Sequence, residues 1–324
     1  MRSRIKTHMA VTGKVIPLHR RRPRGVHRVE SGERLKYEKV GRFDGKKTPL
    51  LSLQGMSMDP ARGKNIARRM NRPVLLLGLP GPNDMPEGTT LHDYANVVAQ
   101  ATRDIAGEQV HGKGFSLGTI ILQQLKVDHP DLVDGMILMA GAPATPASLV
   151  PVLTPRRLEA IKNVMSTDRS PDKVKRLYGG DFEDDPTLIE KYKIGGSKRI
   201  IDPVHHERQL YAVQNGFAPL VYDMTELILR GELTTRPLVM AGWGDPLISY
   251  FSSWLGAIQM GAHFRGIPHG GHAFPISQEE TTAAIARDYL EGLDAQAGQV
   301  ITFPSAASKV GKLIVPGRVD QQAA

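Results

Sequence analysis

An α/β fold is what this chain of 324 residues predicts: a mostly parallel sheet with helices on both faces and a helical cap inserted between two strands. Three observations carry the prediction. Short apolar runs of strand length alternate with longer segments of helical spacing, the pattern of a sheet buried on both faces. Residues 144–234 break that alternation with helical segments only. Between a strand-like and a helix-like segment lies Gly114-Phe115-Ser116-Leu117-Gly118, a tight turn built around a serine.

The elements follow in order. Residues 33–40 alternate like a strand. Residues 49–53 form a short apolar run ending in Gln54-Gly55, and residues 62–70 read as a helix. Residues 73–77 are a buried-strand run stopped by Gly78-Leu79-Pro80-Gly81-Pro82. Thr90, with Asp93 three residues on, opens a helix with a capping-box arrangement. Residues 109–113 form the strand before the serine turn, and residues 119–125 continue as helix until His129-Pro130. Further buried strands fall at 136–140, 238–241 and 263–267, and Ser277 with Glu280 is expected to cap a last helix through Leu290. In the cap, helical segments fall at 155–164, 172–177, 186–192, 206–214 and 220–229, separated by Pro/Gly turns; such an insertion at the ligand-binding end of a parallel sheet covers a site.

This organisation divides the chain into a basic N-terminal arm (1–28), a core in two parts (29–143 and 235–298), the cap (144–234) and a C-terminal arm (299–324) with β-like pieces at 300–303 and 312–315. The net charge of +9 sits at the N-terminus: residues 1–36 hold 11 Lys/Arg and 2 acids, whereas the remainder holds 31 of each. An arm centred on Arg20-Arg21-Arg22-Pro23-Arg24 could bind phosphates or anionic surfaces. The neutral body speaks against nucleic acid, and a solvated tail is the favoured expectation. The absence of Cys excludes disulfides, a thiolate nucleophile and Cys-ligated metal. No apolar run is long enough for a membrane span, and no signal-peptide pattern is present, so a cytoplasmic protein is expected.

Serine chemistry needs a base, a group that orients the base, and N–H donors for the oxyanion. In a parallel-sheet hydrolase these come from loops at the carboxyl ends of strands, in the order Ser, acid, His. Ser116 is the candidate nucleophile. His272, in Pro268-His269-Gly270-Gly271-His272-Ala273-Phe274-Pro275, follows the last strand and is preferred over His269 as the base. Asp245, in Gly244-Asp245-Pro246 just past the 238–241 strand, is the candidate acid. The backbone N–H groups of Leu117 and Met56 are the candidate oxyanion donors, the first at a helix start. His205-His206-Glu207 lacks a third residue spaced as a metal ligand. Trp254 is assigned to the core, and Trp243 and Phe274 to pocket lining or core.

With these motifs in this order, the chain from about 29 to 293 resembles the α/β-hydrolase family. Gln54-Gly55-Met56 resembles its oxyanion loop, Gly114–Gly118 its nucleophile elbow, Gly244-Asp245-Pro246 its acid loop and Gly271–Pro275 its histidine loop. The resemblance implies an eight-stranded, mostly parallel sheet, a helical cap and no cofactor. In the cap, Thr154-Pro155-Arg156-Arg157, Leu177-Tyr178-Gly179-Gly180-Asp181-Phe182 and Arg208-Gln209-Leu210 are similar to segments of intracellular polyhydroxyalkanoate depolymerase-like hydrolases. That implies an ester of a hydroxyalkanoic or medium-chain acid as substrate. The chain departs from the family pattern at Gln54 (usually His), Gly78 (often Asp), Gly112-Lys113 (usually two apolar residues) and Thr119 (usually a small Gly). The expected function is hydrolysis of a carboxylic ester through an acyl-enzyme. A second reading makes the fold a scaffold or binding component held in a larger assembly by its terminal arms.

Overall fold

The computed structural model describes residues 23–81, 83–149, 155–165, 170–185, 187–191 and 202–296. The expectations for the C-terminal arm, for residues 1–22 of the basic arm, and for Thr154, Pro186 and Tyr192 in the cap lie outside these residues.

Eight strands form one sheet: β1 (Arg24–Arg28), β2 (Arg34–Val40), β3 (Leu50–Leu53), β4 (Val74–Leu77), β5 (Val110–Phe115), β6 (Val133–Met139), β7 (Leu238–Gly242) and β8 (His263–Ile267), in the order β1-β2-β4-β3-β5-β6-β7-β8. β1 and β2 pair antiparallel, as do β2 and β4; all other pairings are parallel. After β3 the chain moves to one side of it for β4 and to the other for β5. The carboxyl ends of β3 and β5 therefore flank the switch in strand order, where a crevice opens in such sheets.

The apolar runs build two cores because successive strand residues face opposite ways. Leu51, Leu53, Leu75 and Leu77 pack with α2 (Leu91–Ala106) and α3 (Leu117–Asp128). Leu50, Leu76, Phe115 and Met139 pack with α1 (Lys64–Arg69) and α12 (Glu279–Gln296). Each such fully buried leucine contributes about 2 kcal/mol. Thr90 caps α2 with the reciprocal Asp93 bond that its spacing predicts.

Between β6 and β7 the described residues form helices only: α4 (Pro146–Leu149), α5 (Pro155–Met165), α6 (Pro171–Tyr178), α7 (Asp181–Asp184), α8 (Thr187–Lys191) and α9 (Pro203–Leu229). α10 (Tyr250–Gln259) and α11 (Phe274–Ser277) complete the fold.

Four expectations are corrected. Arg24–Arg28 belongs to the sheet rather than to the arm: it pairs residue for residue with Arg34–Glu38 of β2 through backbone bonds, which need no apolar pattern. The segments 206–214 and 220–229 are one helix, α9, running through Pro219. Burial of Ala212, Leu220, Val221 and Met224 outweighs the lost N–H, and Gly216 lets Leu91 pack close. Ser277 does not cap α12, because its hydroxyl donates to Asp181 at 2.7 Å. Trp254 is not core: it is 40% exposed and lies beside exposed Phe251 on the outer side of α10, their rings tilted by 40°, whereas Phe274 is fully buried.

Lys113 lies in the middle of the sheet, paired in register with Ser52 and Ile137 and almost without solvent exposure. Burial pushes its amine from 10.5 down to about 8. Between those pH values the unfolded chain binds more protons, so stability rises with pH there, and the penalty is at full size below about pH 8. Lys113→Met is therefore expected to stabilise the protein at pH 7 by about 2–3 kcal/mol. In denaturant titrations this gain should shrink as pH is raised toward 10.5; a gain that does not change with pH would contradict the account.

Candidate active site

The carboxyl ends of β3, β5, β7 and β8 lie side by side, with Leu53 opposite Gly114 and Gly242 opposite Ile267. This registration brings four loops far apart in sequence to one rim of the sheet. Ser116 follows β5 and precedes α3 with φ 52° and ψ −118°, a left-handed backbone that a residue bearing a β-carbon avoids. The turn closes only because its neighbours lack side chains. A Cβ on Gly114 would overlap the backbone of Gly118 and Thr119, and one on Gly118 would overlap the carbonyl oxygens of Leu53 and Gln54.

Ser116, His272 and Asp245 converge. His272 Nε2 lies 3.0 Å from Ser116 Oγ, and His272 Nδ1 lies 2.9 Å from Asp245 Oδ2. The other Asp245 oxygen accepts the backbone N–H groups of Leu247 (2.8 Å) and Ile248 (2.9 Å). Both Asp245 oxygens thus face donors, which sets the tautomer: Nδ1–H points at the carboxylate, and Nε2 presents its lone pair to the serine. The histidine and aspartate side chains are 4% and 1% exposed, so little water competes for these bonds. The alternative base, His269, is exposed and makes no side-chain hydrogen bond to Ser116 or Asp245; its carbonyl accepts the Asp181 N–H at 2.8 Å.

The rings of Phe115 and Tyr178 flank the imidazole of His272, with centroids 5.6 and 6.5 Å away. Tyr178 comes from the cap, and its carbonyl accepts the His272 backbone N–H. Asp181, three residues on, accepts from Ser277 and from Gln278 Nε2 at 2.9 Å. The cap turn 178–181 is thereby seated between the acid and histidine loops. That seating was not legible in the sequence, because its bonds join residues about 90 positions apart and two of them are made by backbone atoms alone.

The loop after β3 lies against the elbow: a Cβ on Gly55 would sit 3.3 Å from Ser116 Cβ. The N–H of Met56 donates to no acceptor among the described residues, and Leu117 opens α3, where no preceding helical carbonyl reaches its N–H. Gln54 is buried and donates to Ser52 Oγ at 3.1 Å. A cavity of about 560 Å³ opens from this loop between core and cap, with Met56, Met58, Leu79, Val174 and Tyr178 in its walls. Trp243 is 61% exposed and is not among its lining residues.

His205 and His206 are engaged in hydrogen bonds within the protein. His206 Nε2 donates to the Val164 carbonyl at 2.6 Å, and His205 Nε2 accepts from Gln209 Nε2 at 2.9 Å. Among the described residues no three His, Cys, Asp or Glu side chains are grouped to hold a metal ion, and no helix is long and apolar enough to cross a membrane.

This architecture, with a serine elbow, is the α/β-hydrolase fold, and solved structures similar to it share that fold. An esterase from Thermogutta terrifontis superposes with a TM-score of 0.61 at 19% identity, over 83% of this chain and 98% of that one. Est816, described as an N-acyl homoserine lactone degrading enzyme, gives 0.59 at 18% identity over 80% and 98%. MGS-M2, an α/β-hydrolase enzyme from a Medee basin deep-sea metagenome library, gives 0.62 at 15% identity over 84% and 97%. No protein-family model and no curated protein matches the chain in sequence.

Proposed function

We propose that the protein is a serine hydrolase of carboxylic esters. The observation that carries this reading is the bonded chain Ser116–His272–Asp245 on a strained elbow, with each distance at or below 3.0 Å. His272 Nε2 takes the proton of Ser116 as the hydroxyl attacks the acyl carbon. Asp245 holds the ring and stabilises the imidazolium that forms. The oxyanion is received by the N–H groups of Met56 and Leu117, the second aided by the dipole of α3. His272 then returns the proton to the leaving alcohol, and water repeats the sequence to release the acid. The buried histidine, covered by Phe115 and Tyr178, keeps this transfer away from bulk solvent.

The cavity beside Met56 is of the size of small-molecule sites (roughly 300–1,000 Å³); its methionine, leucine and valine side chains suit an aliphatic acyl group, while Arg34, Lys36, Asp59, Asp84 and Asp202 in the same lining suit a polar or charged remainder. With the cap's likeness to polyhydroxyalkanoate depolymerase-like hydrolases, this favours hydroxyalkanoate or medium-chain acyl esters. The test is a series of p-nitrophenyl esters from two to twelve acyl carbons. We expect turnover with a maximum at medium chain length, and a fall of at least about 10⁴-fold in kcat for Ser116→Ala. Equal hydrolysis by wild type and Ser116→Ala would overturn the reading.

A further inference from the structure

We propose that Gln209, on the cap helix α9, is a positioning residue for the oxyanion loop; the inference rests on the reading of Met56 as an oxyanion donor. Two peptide planes fix where the Met56 N–H points. The plane before Met56 is held by the Gly55 carbonyl, which accepts the Met58 N–H at 3.1 Å. The plane after it carries the Ser57 N–H, which donates to Gln209 Oε1 at 2.9 Å. Ser57 has φ 54°, so the loop passes through a left-handed residue that does carry a β-carbon, and the conformation needs outside support. Gln209 supplies that support from 152 residues away.

The supporting amide is itself oriented. Gln209 is 1% exposed, and its Nε2 donates to His205 Nε2 one helical turn earlier. That bond requires neutral His205, a state that burial favours. With Nε2 committed to His205, Oε1 is left facing Ser57. A second strut runs beside it. The Ser57 hydroxyl is 3.3 Å from His206 Nδ1, whose opposite nitrogen donates to the Val164 carbonyl of α5. The residue pair whose adjacency invites a metal assignment instead ties the cap to the catalytic loop.

This arrangement makes a kinetic prediction that plain cap docking does not. Gln209 is among the residues that line the cavity, but at 1% exposure it offers substrate almost no surface; Gln209→Met keeps side-chain length and removes the acceptor, so the Met56 amide loses its bearing in the transition state while ground-state binding is little changed. The expected result, with p-nitrophenyl butyrate and full-length protein, is a fall in kcat of about 10–100-fold with KM within about 3-fold. Loss of an oxyanion donor outright costs about 10²–10³-fold. Gln209→Glu retains an acceptor for the Ser57 N–H and should recover kcat to within about 5-fold of wild type. If Gln209→Met does not fold, His205→Ala, which frees the amide to rotate, should lower kcat about 3–10-fold; because His205 lines the cavity, kcat and not KM is the readout for this variant. A folded Gln209→Met enzyme with unchanged kcat, an effect confined to KM, or no recovery in Gln209→Glu would overturn the inference while leaving the proposed function standing. A wild type that neither turns over esters nor reacts with a fluorophosphonate overturns the proposed function, and with it the role given to Met56.

Discussion

Asp245→Asn is expected to lower kcat by about 10³–10⁴-fold while leaving the fold intact. The size follows from the bonds on both carboxylate oxygens. Oδ1 faces two backbone donors, the N–H groups of Leu247 and Ile248, so an asparagine must place its carbonyl oxygen there. Its NH₂ then faces His272 Nδ1, where Oδ2 stood. The imidazole is forced into the tautomer that carries its proton on Nε2, and in that state it donates toward Ser116 and cannot accept the serine proton. The reverse rotamer would set NH₂ against two N–H groups, which burial does not tolerate. Steady-state kinetics with a thermal melt is the check. A kcat within about 10-fold of wild type would mean that Asp245 does not orient the base.

Gly271→Ala is expected to damage stability and activity together. A Cβ there would overlap the carbonyl oxygens of Tyr178 and Gly179, backbone atoms that cannot swing aside as a side-chain tip can. The contact is mutual, since a Cβ on Gly180 would overlap the Gly271 amide and the His269 carbonyl. Relief requires lifting the cap turn or displacing the histidine loop. Either breaks the bond from the His272 N–H to the Tyr178 carbonyl. The cost is on the order of 3 kcal/mol, or roughly 4–5 °C in Tm for a chain of this length, with a loss in kcat because His272 is the next residue. A variant that melts within 2 °C of wild type and keeps its kcat would show that the cap turn does not hold this loop.

The parts of the site that were legible in the sequence rest on local chemistry. Buried strands show as apolar runs, as at Val74–Leu77. The elbow shows because only glycine fits beside Ser116, and Asp245 and His272 show because the fold places such groups just past strand ends. The illegible parts rest on tertiary contacts. Nothing local marks Gln209 as the acceptor for a loop 152 residues upstream, or the Tyr178 carbonyl as the acceptor for His272. Arg24–Arg28 reads as a basic tail because a peripheral strand pairs through backbone atoms and leaves its side chains largely exposed. Pro219 reads as a helix break because the burial that keeps α9 continuous is supplied by α2 and α3. Trp254 reads as core by residue type alone, although its side of α10 faces outward.

The cap therefore meets the core at two places in the candidate site. α9 holds the loop after β3 through Gln209 and His206, and the turn 178–181 wedges against the loops that carry Asp245 and His272. In the proposed mechanism the cap both covers substrate and keeps the charge-bearing groups aligned.

The central claim is that Ser116 is a nucleophile activated by His272. Intact-mass spectrometry after incubation with a fluorophosphonate, followed by peptide mapping, tests it most directly. The account predicts one phosphonyl adduct per chain, mapped to Ser116, absent in Ser116→Ala and strongly slowed in His272→Ala. A wild-type chain that stays unmodified, or an adduct that maps to another residue, would contradict it.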